Sequence, residues 1–159
     1  MQAVHVPPPL QLWLNLSVNI GPEMAVGDTV DGYRCLYPIT GGVVHGPDGL
    51  SGRVLPGGFD NYLQRADGVG IMDARYAVQL DDGTVLLVHN RGFLHLSPAG
   101  AALERDGVWP VPAELYHCRC QPEISTGAGP YHWVNHQVFV GTVHYPLPDQ
   151  VEIAIYRLA

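Results

Sequence analysis

Lysine is absent from this chain. All eight basic residues are arginines that stand apart, and the net charge is -7. Neither nucleic acid nor an anionic membrane surface suits such a chain as a partner. Charge of either sign is sparse, 14% against 47% hydrophobic residues, a balance that excludes disorder. Yet no apolar stretch reaches the roughly 18 residues of a membrane span. Cysteine is scarce too: Cys35, Cys118 and Cys120. The start, Met1 to Leu10, has three prolines and no basic residue, and does not read as a signal peptide. Three thiols without a secretory signal read as reduced cysteines in a cytoplasm. Cys118-Arg-Cys120 lacks the two-residue spacing of zinc and redox motifs. No P-loop, GxGxxG or GxSxG pattern occurs, and Gly68-Val-Gly70 lacks the third glycine and a following helix. No nucleotide and no other cofactor is expected.

Glycine (19) and proline (14) are plentiful and cut the chain into short runs, the punctuation of an all-β protein. In the first run Leu10, Leu12, Leu14, Leu16 and Val18 alternate with Gln11, Trp13, Asn15, Ser17 and Asn19, which places the leucines on one strand face. Further strands are expected over 32–39, 43–45, 50–55, 62–66, 71–80, 84–90, 114–121, 131–141 and 150–158. Asp81-Asp-Gly83 is a hairpin turn, because glycine accepts the positive φ such turns need. One short helix is expected around 98–106, with Ser97 as cap, Pro98 at its first position and Gly107 ending it. A chain of 159 residues is the size of one domain and buries roughly 70% of its unfolded surface, so it needs no disulfide or metal to fold. The expectation is a single domain over 1–159, an antiparallel β-barrel of about nine or ten strands whose closure removes exposed edges.

An ordered set of short blocks runs along nearly the whole chain. It comprises Pro38-Ile-Thr-Gly-Gly42, Gly46-Pro47, Gly52-Arg-Val-Leu-Pro-Gly-Gly58 with Asp60, and Asp67-Gly68. Then come Met72-Asp-Ala-Arg-Tyr76, Asp81-Asp-Gly83, Asn90-Arg-Gly92, and Tyr116 with Arg119 and Pro122. Thr126-Gly127, Tyr131 with Trp133 and Asn135, and Phe139-Val-Gly141 complete it. In these blocks the chain resembles the bacterial and fungal family known as domain of unknown function 3237. It departs from the family pattern at Asn61, where tryptophan is usual, and at Ser125, where glutamate is common. The resemblance implies a small barrel similar to the allene oxide cyclase type. Some fungal relatives are implicated in ring-forming ether synthesis on polyketides.

Several residues are candidates for a site, each with a structural alternative. Asp73 and Arg75 share one face of the 71–80 run, with Met72, Ala74, Tyr76, Val78 and Leu80 on the other. They either converge on a ligand or form a solvated outer face. Asp60 either sits at the barrel mouth or bonds its own turn. Tyr131, Trp133 and Asn135 would share a strand face, suited to a flat ligand or simply to core. Tyr116 and Arg119, three apart, cannot share one, and an inward arginine would need an acid such as Asp73 or Asp60. His132 and His136 are four apart, roughly 13 Å along a strand and too far for one ion, so no metal site is expected.

These residues suit a cofactor-free acid/base cyclase or isomerase, and the resemblance implies a polyketide-like or aromatic molecule as its substrate. Asp73 or Asp60 would be the base and Arg119 or Arg75 the oxyanion partner, with Tyr116, Tyr131, Trp133 and Asn135 orienting a small hydrophobic or aromatic substrate. A positioned acid or base gives about 10²–10⁴-fold. The alternative is a non-catalytic carrier barrel. A homo-oligomer is left open, and a third reading makes the chain its structural subunit.

Overall fold

The computed structural model describes residues 5–159; Met1 to Val4, the first part of the start read as no signal peptide, lie outside the described residues. The strands are β1 (Leu10–Ile20), β2 (Met24–Thr29), β3 (Gly32–His45), β4 (Ser51–Val54), β5 (Gly58–Gln64), β6 (Gly70–Leu80), β7 (Val85–Leu96), β8 (Tyr116–Ser125), β9 (Phe139–Leu147) and β10 (Gln150–Leu158). One helix, α1 (Pro98–Arg105), lies between β7 and β8. Neighbours β1-β10-β9-β8-β7-β6 are antiparallel; β6 pairs with β4 and β5, both of these pair with β3, and β3 pairs with β1. The ten-stranded sheet therefore closes into a barrel, as the turn spacing predicts. No helix among the described residues is long and apolar enough to cross a membrane.

Local chemistry explains most elements. The Asp81–Gly83 turn joins β6 to β7, with Gly83 at φ 89 and Leu80 N–H donating to Thr84 O at 2.8 Å. Ser97 caps α1, its side chain accepting from Gly100 N at 3.1 Å, and Pro98 fills the first position, where a missing N–H matters least.

Four expectations need correction. The leucine face of β1 does not run its whole length: a bulge between Leu12 and Leu14 buries Trp13 beside Leu14 and leaves Leu10 and Leu12 exposed. An extra residue in one strand switches the faces that follow it. β3 does not break at Gly41-Gly42 but runs through them. Gly42 has φ 147, and a Cβ there would stand 2.2 Å from Ser17 O, so only glycine lets β1 and β3 approach. β2 was not expected, because none of its residues is buried and a strand without a buried face carries no alternation. Finally, the 131–141 run is not one strand: His132–His136 is a 3-10 turn and β9 starts at Phe139.

That turn crosses one end of the barrel and plugs it. Trp133 packs against Trp13 and Phe139, with ring centroids 4.8 Å and 6.0 Å away, and Val134 is fully buried. Above the plug Leu14, Val44, Val54, Val78, Leu86 and Ile155 form a dry core, each side chain contributing roughly 1.5–3 kcal/mol. The other half of the barrel, toward α1, is open.

Candidate functional site

The open half encloses a lumen of about 600 Å³, within the range of small-molecule pockets. Its walls differ in chemistry. β1, β9 and β10 supply Val18, Ile20, Val143, Val151 and Ile153, while β3 and β5 supply Tyr33, Tyr37, Asp60, Tyr62 and Gln64. Trp109 and the α1 residues Ala101, Glu104 and Arg105 rim the mouth. At the rim Tyr33 donates to Glu23, and Tyr62 donates to Gln64 Oε1 at 2.9 Å.

Asp60 is the carboxylate of the inner wall, whereas Glu23 and Glu104 stand at the rim. The pairing of β5 with β6 is interrupted between Asp60 and Leu63, and the Asp73 N–H donates to Asp60 Oδ1 at 2.9 Å. Burial pushes the Asp60 carboxyl up to about 6; the Asp73 N–H opposes this, and the Asp73 carboxylate adds to it. Burial likewise pushes the phenols of Tyr37, Tyr62 and Tyr76 above their ordinary range, so all three stay neutral donors. Among the described residues Tyr76 O–H and Asn90 Oδ1, on two residues that line the lumen, are buried without a hydrogen-bond partner, each costing about 1–3 kcal/mol.

The other sequence candidates do not reach this cavity. Asp73 and Arg75 point out of the barrel, because the apolar alternates Met72, Tyr76, Val78 and Leu80 take the inner face and strand parity allows no other choice. Asp73 is 39% exposed and its Oδ1 lies 2.7 Å from His89 Nε2. Arg75 lines an outer groove that also holds His89, Glu123 and Asn135. Arg119 is exposed and donates to Cys118 O at 2.8 Å, since Cys118 and Cys120 fill the inner face of β8. Tyr116 lies behind Tyr145 rather than on the wall; its hydroxyl accepts from Tyr145 N at 3.0 Å and lies 2.8 Å from His144 Nδ1.

Tyr131, Trp133 and Asn135 do not share a strand face. Tyr131 and Trp133 belong to the plugged end. Asn135 Nδ2 donates to Thr126 O and His132 O, each at 3.0 Å, and Oδ1 accepts from Thr126 N at 2.9 Å. It holds the crossing segment in shape. His132 and His136, no longer strand residues, have ring centroids 6.4 Å apart. Among the described residues no group of three or more His, Cys, Asp or Glu side chains could hold a metal ion. Burial pushes the Cys118 thiol up to about 12 and Cys120 to about 11, which makes both inert.

Sequence reasoning passed over Tyr37, Tyr62, Tyr76 and Asn90 as site residues. One signal was present: Asn90 falls in step with Leu86, Val88 and Leu94, a polar residue on an apolar face.

A family model for proteins of unknown function, DUF3237, matches residues 8–158. The chain belongs to this family. A UPF0311 protein of Rhodopseudomonas palustris is 33% identical over 143 residues, covering 90% of this chain and 92% of the relative. A crystal structure of a conserved protein of unknown function from R. palustris has a TM-score of 0.85 at 32% identity, covering 96% of this chain and 99% of that one. A β-barrel-like protein of Acinetobacter baumannii has a TM-score of 0.80 at 31% identity, covering 98% and 100%. A protein of Penicillium herquei described as an enzyme has a TM-score of 0.70 at 21% identity, covering 100% of both chains. At that identity it shares the fold of this DUF3237 protein, and the fold alone.

Proposed function

We propose that the lumen is the active site of a cofactor-independent cyclase or isomerase acting on a phenol- or enol-bearing small molecule, with Asp60 as its acid/base. The observation that carries this reading is the Asp60 carboxyl, raised to about 6 chiefly by burial, on the same cavity wall as neutral phenols. A base poised near the working pH moves protons most effectively.

The chemistry closes without a co-reactant. Asp60 takes the proton of a substrate phenol or enol, and the phenol of Tyr37, opposite it on β3, donates to the oxyanion. The oxyanion adds to an electrophilic carbon of the same molecule. The displaced electron pair moves to a neighbouring atom, which takes the proton back from Asp60. Mass is unchanged. The oxyanion role foreseen for Arg119 or Arg75 thus passes to Tyr37, and the base role to Asp60 rather than Asp73.

The aliphatic wall of β1, β9 and β10 favours a second reading, carriage of a hydrophobic molecule without turnover. Incubation with phenolic polyketide precursors, followed by chromatography with mass detection, separates the two. The enzyme reading expects a product of unchanged mass and altered retention that Asp60→Asn does not form. Retention of the precursor, unconverted and equally well by both proteins, supports the carrier and overturns the enzyme.

A further inference from the structure

Among the described residues only four charged side chains line the lumen, and three of them are acids. Asp60 stands on the inner wall, while Glu23, Glu104 and Arg105 are exposed at the mouth. None of the four takes part in an ion pair among the described residues. Every other lining residue is uncharged. The one cation therefore sits at the entrance, in water, and none stands deeper.

These carboxylates act on the interior. Burial pushes the Tyr62 phenol up, and the Glu104 and Asp60 charges add to it; Tyr37 is raised by burial and, among lesser causes, by Glu23. Low-dielectric walls focus such a field into the cleft they enclose. The proton transfer proposed above does not deepen it. When Asp60 takes a substrate proton, the negative charge passes from the carboxyl to the substrate oxygen, and the total is unchanged. A carboxylate, sulfate or phosphate beside the reacting hydroxyl would set a second charge next to the first, with no cation to receive it. At about 7 Å and an effective dielectric constant of about 20, that repulsion exceeds a tenfold loss of affinity.

We infer that the lumen selects ligands whose inserted part is uncharged, and rejects those that carry a carboxylate, sulfate or phosphate next to the reacting hydroxyl. Arg105 does not reverse this preference, because it shares the mouth with Glu23 and with Glu104, its neighbour in the last turn of α1. The chain as a whole, at a net charge of -7, also disfavours the approach of anions. The substrate class is thus a neutral phenol or enol that bears no free acid group when it enters. This inference rests on the lumen being the binding site and adds which molecules it selects.

Calorimetric titration at pH 8 with 3-hydroxy-2-naphthamide and 3-hydroxy-2-naphthoate tests it, since the two probes differ in charge and hardly in shape. The wild-type protein should bind the amide about 10- to 100-fold tighter. Protonation of Asp60 sets the upper limit: its carboxyl stands at about 6, so neutralising it at pH 8 costs about a hundredfold in affinity. In Asp60→Asn the ratio should fall to within about threefold of one. In the double variant Glu23→Gln, Glu104→Gln it should fall by a smaller factor, because exposed charges are screened. Equal affinity of the two probes for wild type, tighter binding of the naphthoate, or a preference that survives both sets of substitutions overturns the selection, with lumen binding intact. If neither probe binds wild type, the selection and the lumen reading fall together.

Discussion

Asp60→Asn keeps the shape of the side chain and the carbonyl that accepts the Asp73 N–H, and removes the ionisation that the lumen opposes. The carboxyl is raised from its ordinary 3.8 to about 6; at about 1.4 kcal/mol per unit, ionising it in the folded protein costs on the order of 3 kcal/mol. Partial solvent contact and the weaker acceptor of an amide reduce the expected gain to about 1–2 kcal/mol, or about 2–8 °C in Tm. The sign follows from proton binding. Between the unfolded and folded values the native state holds more protons than the unfolded one, so wild-type stability falls as pH rises through that window and stays lower above it. Urea unfolding of both proteins at pH 4 and pH 8 measures the effect. The variant should exceed wild type at pH 8, with most of that advantage gone at pH 4, while losing turnover. An equal gap at both pH values, or a variant less stable than wild type at pH 8, would refute the placement of Asp60 as a buried, charged base.

The same carboxyl should govern rate: the wild-type kcat/KM should rise as pH passes through about 6, where the base form appears, and a profile flat from pH 5 to pH 8 would remove Asp60 as the base. Asp73→Asn, which removes the outer contact with His89 and the smallest of the influences on the Asp60 carboxyl, should change unfolding free energy by less than about 1 kcal/mol and leave turnover at pH 8 unaltered. Gly92→Ala should lower stability by about 1–3 kcal/mol in urea titration, because its Cβ would lie 2.2 Å from Arg119 O and 2.9 Å from Cys120 Cα.

The barrel was legible because its turns are written in glycine, proline and aspartate and its strands in alternation. What alternation does not encode is a change of parity or a purpose. The Leu12/Leu14 bulge is invisible to a period of two, since leucines continue on both sides of it. Val134, Val138 and Phe139 resemble a strand, yet the chain must turn across the barrel end there, and Trp133 and Val134 are apolar because they plug it. Of the proposed carboxylates, the sequence offered two. Asp73 has four large apolar alternates that claim the inner face. Asp60 stands inside only because β5 lies between β3 and β6 in a particular register, and register between distant strands is a property of the closed ring.

The pairing of β1 with β10, from Leu10 opposite Leu158 to Asn19 opposite Gln150, has a kinetic consequence. The ring is completed by its first and last strands, and contacts so distant in sequence form slowly. Until β10 docks, β1 and β9 are unpaired edges and the cavity stands open along one side. No partly folded chain can then grip a ligand as the finished barrel does. A bound molecule should therefore lengthen the lifetime of the folded state while leaving the rate of its formation unchanged.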